Sequence, residues 1–197
     1  MIDVDTLLAW GAAYKKVSAG DVIFSEGSNC MFYHQLIEGK LKWVNTNEEG
    51  REFIQTFIEP GECFGEFSLF DDEPFAADAI AEVDSVIIRL DKYTFHQVLK
   101  ENPYLHLNFT RMLSQTLRFK YSILKELAHH VPENIISTLL IYFKTNNKNM
   151  CSKCNMLRLT RQQIADMTGL RVETVIRTMK HMQHEGKLQI TKGKVYC

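Results

Sequence analysis

Leu159-Thr160-Arg161-Gln162-Gln163-Ile164-Ala165-Asp166-Met167-Thr168-Gly169-Leu170-Arg171-Val172-Glu173-Thr174-Val175-Ile176-Arg177-Thr178-Met179 reads as a helix, a tight turn and a second helix. Thr160 can cap the first helix through its hydroxyl. Ala165 is small where two helices would cross, and Gly169 follows four residues on, where the chain must turn sharply and a left-handed conformation suits glycine. Ile164, Leu170 and Val175 supply a shared core. On the second helix Val175, Met179 and Met182 point inward, which leaves Arg171, Glu173, Thr174, Arg177 and Lys180 on or near the outer face.

Glu173 and Arg177 lie one turn apart, so both can enter one major groove. Arg177 can donate two bonds to guanine O6 and N7, and Glu173 can accept from cytosine N4. Thr174, Arg161, Gln162 and the lysines, Lys180 among them, are placed as phosphate contacts that fix register without reading sequence. The plainer alternative makes Glu173 and Arg177 a surface pair worth a few tenths of a kcal/mol. A bare carboxylate amid a net-positive helix face would gain little that way. Gly186 to Tyr196 is similar to a basic β-hairpin, a wing lying along the DNA backbone with its three lysines, Lys187, Lys192 and Lys194, in phosphate contact; a plain C-terminal cap is the alternative.

Charge agrees with a polyanion partner at this end. The chain of 197 residues has a net charge of −1, but residues 1–102 hold 8 Lys and Arg against 19 Asp and Glu, and residues 103–197 hold 15 against 5. An acidic front and a basic back hide in the neutral average. Charge complementarity between the halves would give the same asymmetry. At 45% hydrophobic and 24% charged, the chain has the composition of a soluble globular protein, and disordered or fibrous classes drop out. No run approaches the roughly 18 to 20 apolar residues of a membrane helix, and Met1 to Trp10 carries Asp3 and Asp5 where a secretory signal would be basic. A cytoplasmic protein without a membrane partner is expected. The cysteines, Cys30, Cys63, Cys151, Cys154 and Cys197, are odd in number and scattered, as in a reducing compartment.

Ahead of the helical region, six of the ten glycines (Gly20, Gly27, Gly39, Gly50, Gly61, Gly65) punctuate short runs rich in β-branched and aromatic residues. Val22–Phe24, Phe32–Ile37, Leu41–Val44, Phe53–Ile58 and Ser85–Leu90 read as strands of an antiparallel sandwich or roll. After Asp91 the period becomes helical, and Pro103 opens a long helix. Leu105, Phe109, Met112, Thr116, Phe119 and Ile123 form a heptad seam, with Leu113, Leu117 and Leu124 on another side. Two stripes need two partners. The seam is expected to pair with the same helix of a second chain and the other stripe to cover the roll. A helix buried within one chain is the alternative. His129-His130 marks a bend, and Val131-Pro132-Glu133 starts another helix that ends at Asn146–Asn149. The division expected is 1–102 for a sensor roll, 103–130 for a dimerisation helix and hinge, and 131–197 for a DNA-binding domain. The fold class is α+β, an antiparallel β-roll joined by a long helix to a winged helix-turn-helix.

Ala19–Phe24 through Glu26-Gly27, Ile37-Glu38-Gly39-Lys40-Leu41-Lys42 and Pro60-Gly61-Glu62-Cys63-Phe64-Gly65-Glu66-Phe67-Ser68-Leu69 are similar to the cyclic-nucleotide-binding roll of the CRP/FNR superfamily of bacterial transcription regulators. Leu159–Ala165 and Val172–Arg177 resemble its winged helix-turn-helix. The resemblance covers almost the whole chain and implies a homodimer that reads a palindrome on double-stranded DNA, with RNA polymerase as a further partner. It places Glu173 and Arg177 on base-reading positions. Val172 before them matches the FNR branch and a TTGA-type half-site.

Departures from the family pattern bear on the effector. The resemblance makes Glu66, Phe75, Ala76, Lys120 and Tyr121 the effector-pocket positions. Receptors of cyclic AMP carry an Arg-Ser pair where this chain has Phe75-Ala76, close to Asp71, Asp72 and Glu73. An anion desolvated there without a charge partner costs several kcal/mol, so no binding of cyclic AMP is expected. An unidentified apolar or aromatic effector bordered by Phe75 and Tyr121 is the alternative, as is no effector. No cysteine precedes Cys30, so the iron-sulfur cluster of the FNR branch is not expected, and no cofactor or metal is assigned. Cys151-Ser152-Lys153-Cys154 is a lone C-x-x-C, either half a zinc site or a redox pair if functional. His34 lacks a second ligand beside it, and no His-x-His pair suggests a cupin-like enzyme.

Overall fold

The structure, a computed structural model, describes residues 2–151 and 153–196; the Cys197 thiol, like Met1 and Ser152, lies outside the described residues. Two compact units divide at Leu113/Ser114, inside a long helix rather than at its start.

The first unit contains α1 (Val4–Ala9), β1 (Ala13–Val17), β2 (Val22–Phe24), β3 (Phe32–Glu38), β4 (Leu41–Thr46), β5 (Glu52–Ile58), β6 (Cys63–Phe64), α2 (Phe67–Phe70), β7 (Asp78–Ala81), β8 (Ser85–Asp91) and α3 (Lys92–Glu101), followed by the start of α4 (Pro103–His129). Two four-stranded antiparallel sheets, in the orders β1-β8-β3-β6 and β2-β7-β4-β5, form the roll. All five expected strands are present, with β1, β6 and β7 in addition. Gly39 has φ +102, and a Cβ there would lie 2.1 Å from Ser85 Oγ, so this corner between β3 and β4 admits only glycine. Inside, Tyr33 stacks on Phe95 at 4.9 Å, and Phe109 meets Phe95 edge-on at 5.5 Å.

The second unit holds the remainder of α4, then α5 (Pro132–Asn146), α6 (Arg161–Thr168), α7 (Val172–His184), β9 (Gln189–Thr191) and β10 (Lys194–Tyr196). Pro132 sits in the first turn of α5, and Asn147 ends it in a left-handed conformation. Ile135, Ile136, Leu139, Leu140 and Phe143 are its buried side.

The structure corrects the roles of the two stripes on α4. Phe109 is 3% exposed in the roll core, and Leu105 and Met112 pack against that core. Phe119 stacks on Tyr142 at 3.6 Å, while Thr116 and Ile123 are half-buried. Leu105, Phe109, Met112 and Phe119 of the seam are therefore engaged within the chain. Leu117, expected to cover the roll, is 56% exposed, and Tyr121 and Leu124 beside it are 66% and 61% exposed. Both stripes keep heptad spacing, so periodicity could not separate them. The large Phe109 ring decides, because it completes an aromatic cluster with Tyr33, Phe70 and Phe95.

His34 is buried on β3 among Phe24, Phe64 and Phe32, at ring distances of 5.4, 5.3 and 6.2 Å, and its Nδ1 has no hydrogen-bond partner. Burial, with Arg89 and then Lys15 adding to it, pushes its pKa down from 6.5 to about 3. Unfolded, the imidazole takes a proton below pH 6.5, whereas the folded state refuses it down to about pH 3. Stability therefore falls as pH drops through that window, by about 2 kcal/mol between pH 7 and pH 5 from this group alone. In His34→Leu this component of the pH dependence should vanish. Urea unfolding of both proteins at pH 7 and pH 5 checks it; an equal fall in the two would contradict the assignment.

Candidate nucleic-acid interface

Reciprocal bonds fix the start of α6. Thr160 Oγ1 accepts from Gln163 N–H at 3.1 Å, and Gln163 Oε1 accepts from Thr160 N–H at 3.0 Å. At its other end Gly169 takes φ +70 with nothing within 4 Å of a built Cβ, so the glycine is required by conformation and not by space. α7 then packs on α5 and α6 through Val175, Met179 and Met182, opposite the buried Ile164 and Ala165.

This packing sets the rotation of α7. Glu173, Arg177 and Lys180 are exposed on it, Arg171 is exposed at its N-cap, and Thr174 is half-buried. Among the described residues neither Glu173 nor Arg177 has an ion-pair partner, so the surface-pair alternative finds no support. Ile176 is also exposed beside them. On α6, Arg161 is half-buried in the first turn, and exposed Gln162 donates from Nε2 to Asp166 Oδ1 at 2.8 Å.

β9 and β10 form an antiparallel hairpin whose turn, Lys192-Gly193, has φ of 48° and 76°. Two positive φ values in a two-residue loop match the right-handed strand twist and throw Lys192 to the exposed tip. Lys194 is exposed next to it. Lys187, the third lysine of the hairpin segment, departs from the phosphate role expected of it. Its ammonium is bonded to Glu133 and lies 2.7 Å from Glu185, with His181 Nδ1 3.6 Å and 3.7 Å from the same two carboxylates. Both carboxylates hold the Lys187 amine above the ordinary lysine range. Lys187 thus ties the end of α7 to the start of α5, a pairing between residues far apart in sequence that no local signal announces.

A second arm supports the hairpin. Met156 bridges Tyr196, Leu157 N–H donates to Val195 O at 2.9 Å, and Met150 bridges Leu157 on the other side.

Of the expected pocket residues, Glu66, Phe75 and Ala76 lie in the roll. Phe75 is 4% exposed and stacks on Phe24 with ring centres 3.6 Å apart and planes 8° apart. Its backbone is held on both sides, by Gly27 N–H to Phe75 O at 2.8 Å and Phe75 N–H to Ser28 O at 3.0 Å. A Cβ on Gly65 would lie 2.7 Å from Phe75 Cε1 and 2.8 Å from Phe24 Cζ, so the two rings fill the space above the Gly65-Glu66 backbone. Glu66 is buried; Ala76 is exposed, and its carbonyl accepts from Asn45 Nδ2. Asp71, Asp72 and Glu73 are exposed beyond them, and Lys92 is held by Asp72 at 2.7 Å and by Ser68 O at 2.8 Å. Lys120 and Tyr121 belong to the second unit. Lys120 is half-buried, with burial and then Lys148 lowering its pKa, and Tyr121 faces solvent.

Residues 14–102 match the cyclic nucleotide-binding domain family, and residues 135–196 match the Crp-like helix-turn-helix domain family. The CRP-like cAMP-activated global transcriptional regulator of Mycobacterium tuberculosis is 25% identical over 177 residues, 89% of this chain and 79% of that protein. The nitrogen fixation regulation protein FixK of Bradyrhizobium diazoefficiens is 26% identical over 180 residues, 90% of this chain and 75% of its own. The solved structure of FixK2 from Bradyrhizobium japonicum superposes with a TM-score of 0.76 at 18% identity, covering 94% of this chain and 91% of that one. With a cyclic-nucleotide-binding-type roll in front, a Crp-like helix-turn-helix behind and regulators of this kind as relatives along most of its length, the chain belongs to the CRP/FNR superfamily of transcription regulators.

Proposed function

We propose that this regulator acts in the cytoplasm as a homodimer, binds double-stranded DNA in a sequence-specific way alongside RNA polymerase, and does not respond to cyclic AMP. The observation that carries the reading is the outer face of α7, where Glu173 and Arg177 stand exposed one turn apart with no ion-pair partner among the described residues. In a major groove Arg177 reads guanine, Glu173 reads the cytosine amine, and Arg171, Thr174, Arg161, Gln162, Lys180 and Lys192 contact the phosphates. Val172 ahead of Glu173 favours a TTGA-type half-site.

Support for a dimer comes from Leu117, Tyr121 and Leu124, an exposed apolar stripe at heptad spacing on α4. Covering it with the same helix of a second copy would bury three large side chains and pair two recognition helices for a palindromic site.

Indifference to cyclic AMP follows from the Phe24/Phe75 stack and its acidic surroundings. A cyclic phosphate would have to displace a buried ring and then lose its water without gaining a cation. The same ring speaks against an aromatic effector bordered by Phe75, because the space is already filled by the protein's own side chains.

Titration calorimetry with cyclic AMP should give no saturable heat, and Phe75→Ala should destabilise the roll by about 3 to 5 kcal/mol. Micromolar binding, or a neutral Phe75→Ala, would contradict the filled-roll reading. On a bound duplex Arg177→Ala should cost about 1 to 3 kcal/mol and relax preference at one base pair, while Lys192→Ala should weaken all sequences alike and flatten the salt dependence. Half-site preference left intact in Arg177→Ala would remove Arg177 from base reading.

A further inference from the structure

The segment before α6 turns back on itself. Met150 bridges Leu157, Cys151 N–H donates to Met156 O at 2.8 Å, and Asn155 N–H donates to Cys151 O at 2.8 Å. Asn149 and Asn155 take φ of 52° and 53°, a conformation asparagine tolerates at turns. The closed loop contains both cysteines of the C-x-x-C. The Asn155 N–H to Cys151 O bond closes a five-residue turn with Cys154 one residue inside its far end, and a disulfide asks for a Cα separation of about 4.4 to 6.8 Å. Cys151 is half-exposed and Cys154 exposed, both are free thiols, and the Cys154 side chain hydrogen-bonds the Cys151 sulfur.

From this geometry we propose that Cys151 and Cys154 form a dithiol that a peroxide oxidises to an intramolecular disulfide, resetting the turn that supports the DNA-binding hairpin.

The electrostatics agree with the geometry. The Cys154 thiol, the backbone N–H groups of Lys153 and Cys154 and the Arg158 side chain all hydrogen-bond the Cys151 sulfur and hold its pKa down to about 7. About half of it is thiolate at pH 7. Cys30 and Cys63 differ: both are buried, and burial pushes both thiols up, which leaves them inert toward the same reagent. In the first step the Cys151 thiolate attacks one oxygen of hydrogen peroxide, the O–O bond breaks, and Cys151 becomes a sulfenic acid while the departing hydroxide takes a proton to become water. In the second, the Cys154 sulfur attacks the Cys151 sulfur and the S–O bond breaks. The leaving hydroxide takes the Cys154 proton as a second water. The two cysteines lose two electrons and the peroxide gains them.

The far arm of the turn is the segment bridged to the hairpin. Met156 bridges Tyr196 and Leu157 donates to Val195 O, so a displaced turn moves the support of β10 and of the Lys192-Gly193 tip. That consequence rests on the DNA-binding reading above; the thiol chemistry stands without it.

Full-length reduced protein is treated with a small excess of hydrogen peroxide, alkylated and digested with trypsin. Cleavage after Lys148, Lys153 and Arg158 puts the two cysteines on separate peptides, 149–153 and 154–158. The expected product is the linked pair, about 2 Da lighter than the two reduced peptides together. Its rate of formation should rise with pH through about 7. Cys154→Ser should stop at a sulfenic acid trapped by dimedone, and Cys151→Ser should give neither product. Oxidation to sulfonic acid without a linked pair, crosslinking between chains instead of within one, or faster loss of the Cys30 or Cys63 thiol would overturn the proposal. Oxidised wild type should bind duplex DNA several-fold more weakly, with recovery on reduction and no such change in Cys154→Ser. A linked pair with unchanged affinity would overturn the coupling to the hairpin, whereas reduced protein that binds no duplex would count against the DNA-binding reading and leave the thiol result standing.

Discussion

The burial of Val175, Met179 and Met182 is the constraint on which the DNA-facing half depends. Three apolar side chains on one stripe of a thirteen-residue helix leave a single rotation about its axis, and that rotation decides which polar side chains reach outward. Gly169 contributes the left-handed corner that lets α7 return across α6 within a few residues. Without either, Glu173 and Arg177 would be two charges on an unspecified face. With both, they become a pair at the spacing of one helical turn, and Lys187 adds a tether from the end of α7 to α5 that keeps the helix and hairpin together.

The roll packs aromatic side chains over the Gly65-Glu66 backbone. Gly65 and Glu66 keep the backbone approach and buried carboxylate of a nucleotide-binding roll, but Phe75 and Phe24 occupy the volume with stacked rings. Stacked rings there contribute core packing. His34 belongs to the same interior. Its imidazole is held neutral by burial and packs as an aromatic ring among Phe24, Phe32 and Phe64.

What could be read from sequence divides along a physical line between local and long-range information. Caps and turns are local: Thr160 and Gln163 make their reciprocal bonds, Gly169 takes its positive φ, and Pro132 and Asn147 bound α5. Strands with strong β-branched and aromatic content were equally legible. β7 was not, because Asp78-Ala79-Ile80-Ala81 has weak strand preference and is selected by the close approach of neighbours that only small residues permit, with Ala79 and Ala81 fully buried. β1 was missed for a related reason, since an edge strand carrying Lys15 and Lys16 has little apolar pattern. Leu105, Phe109 and Met112 serve the roll while Leu117 and Leu124 are exposed, a split that heptad spacing alone does not reveal because both stripes obey it. Only the shape of the Phe109 site distinguishes them. Lys187 looked like a phosphate contact because its carboxylate partner Glu133 lies 54 residues away.

In-vitro selection of duplexes from a random pool, using the full chain, probes the central claim most directly because it interrogates DNA recognition, half-site identity and subunit pairing in one readout. The expected result is enrichment of an inverted repeat whose half-sites are centred about 34 Å apart, one turn of DNA, with a fixed G·C pair in each. A pool that leaves the selection with the composition it entered would contradict sequence-specific recognition by α7, and enrichment of isolated half-sites would contradict the dimer.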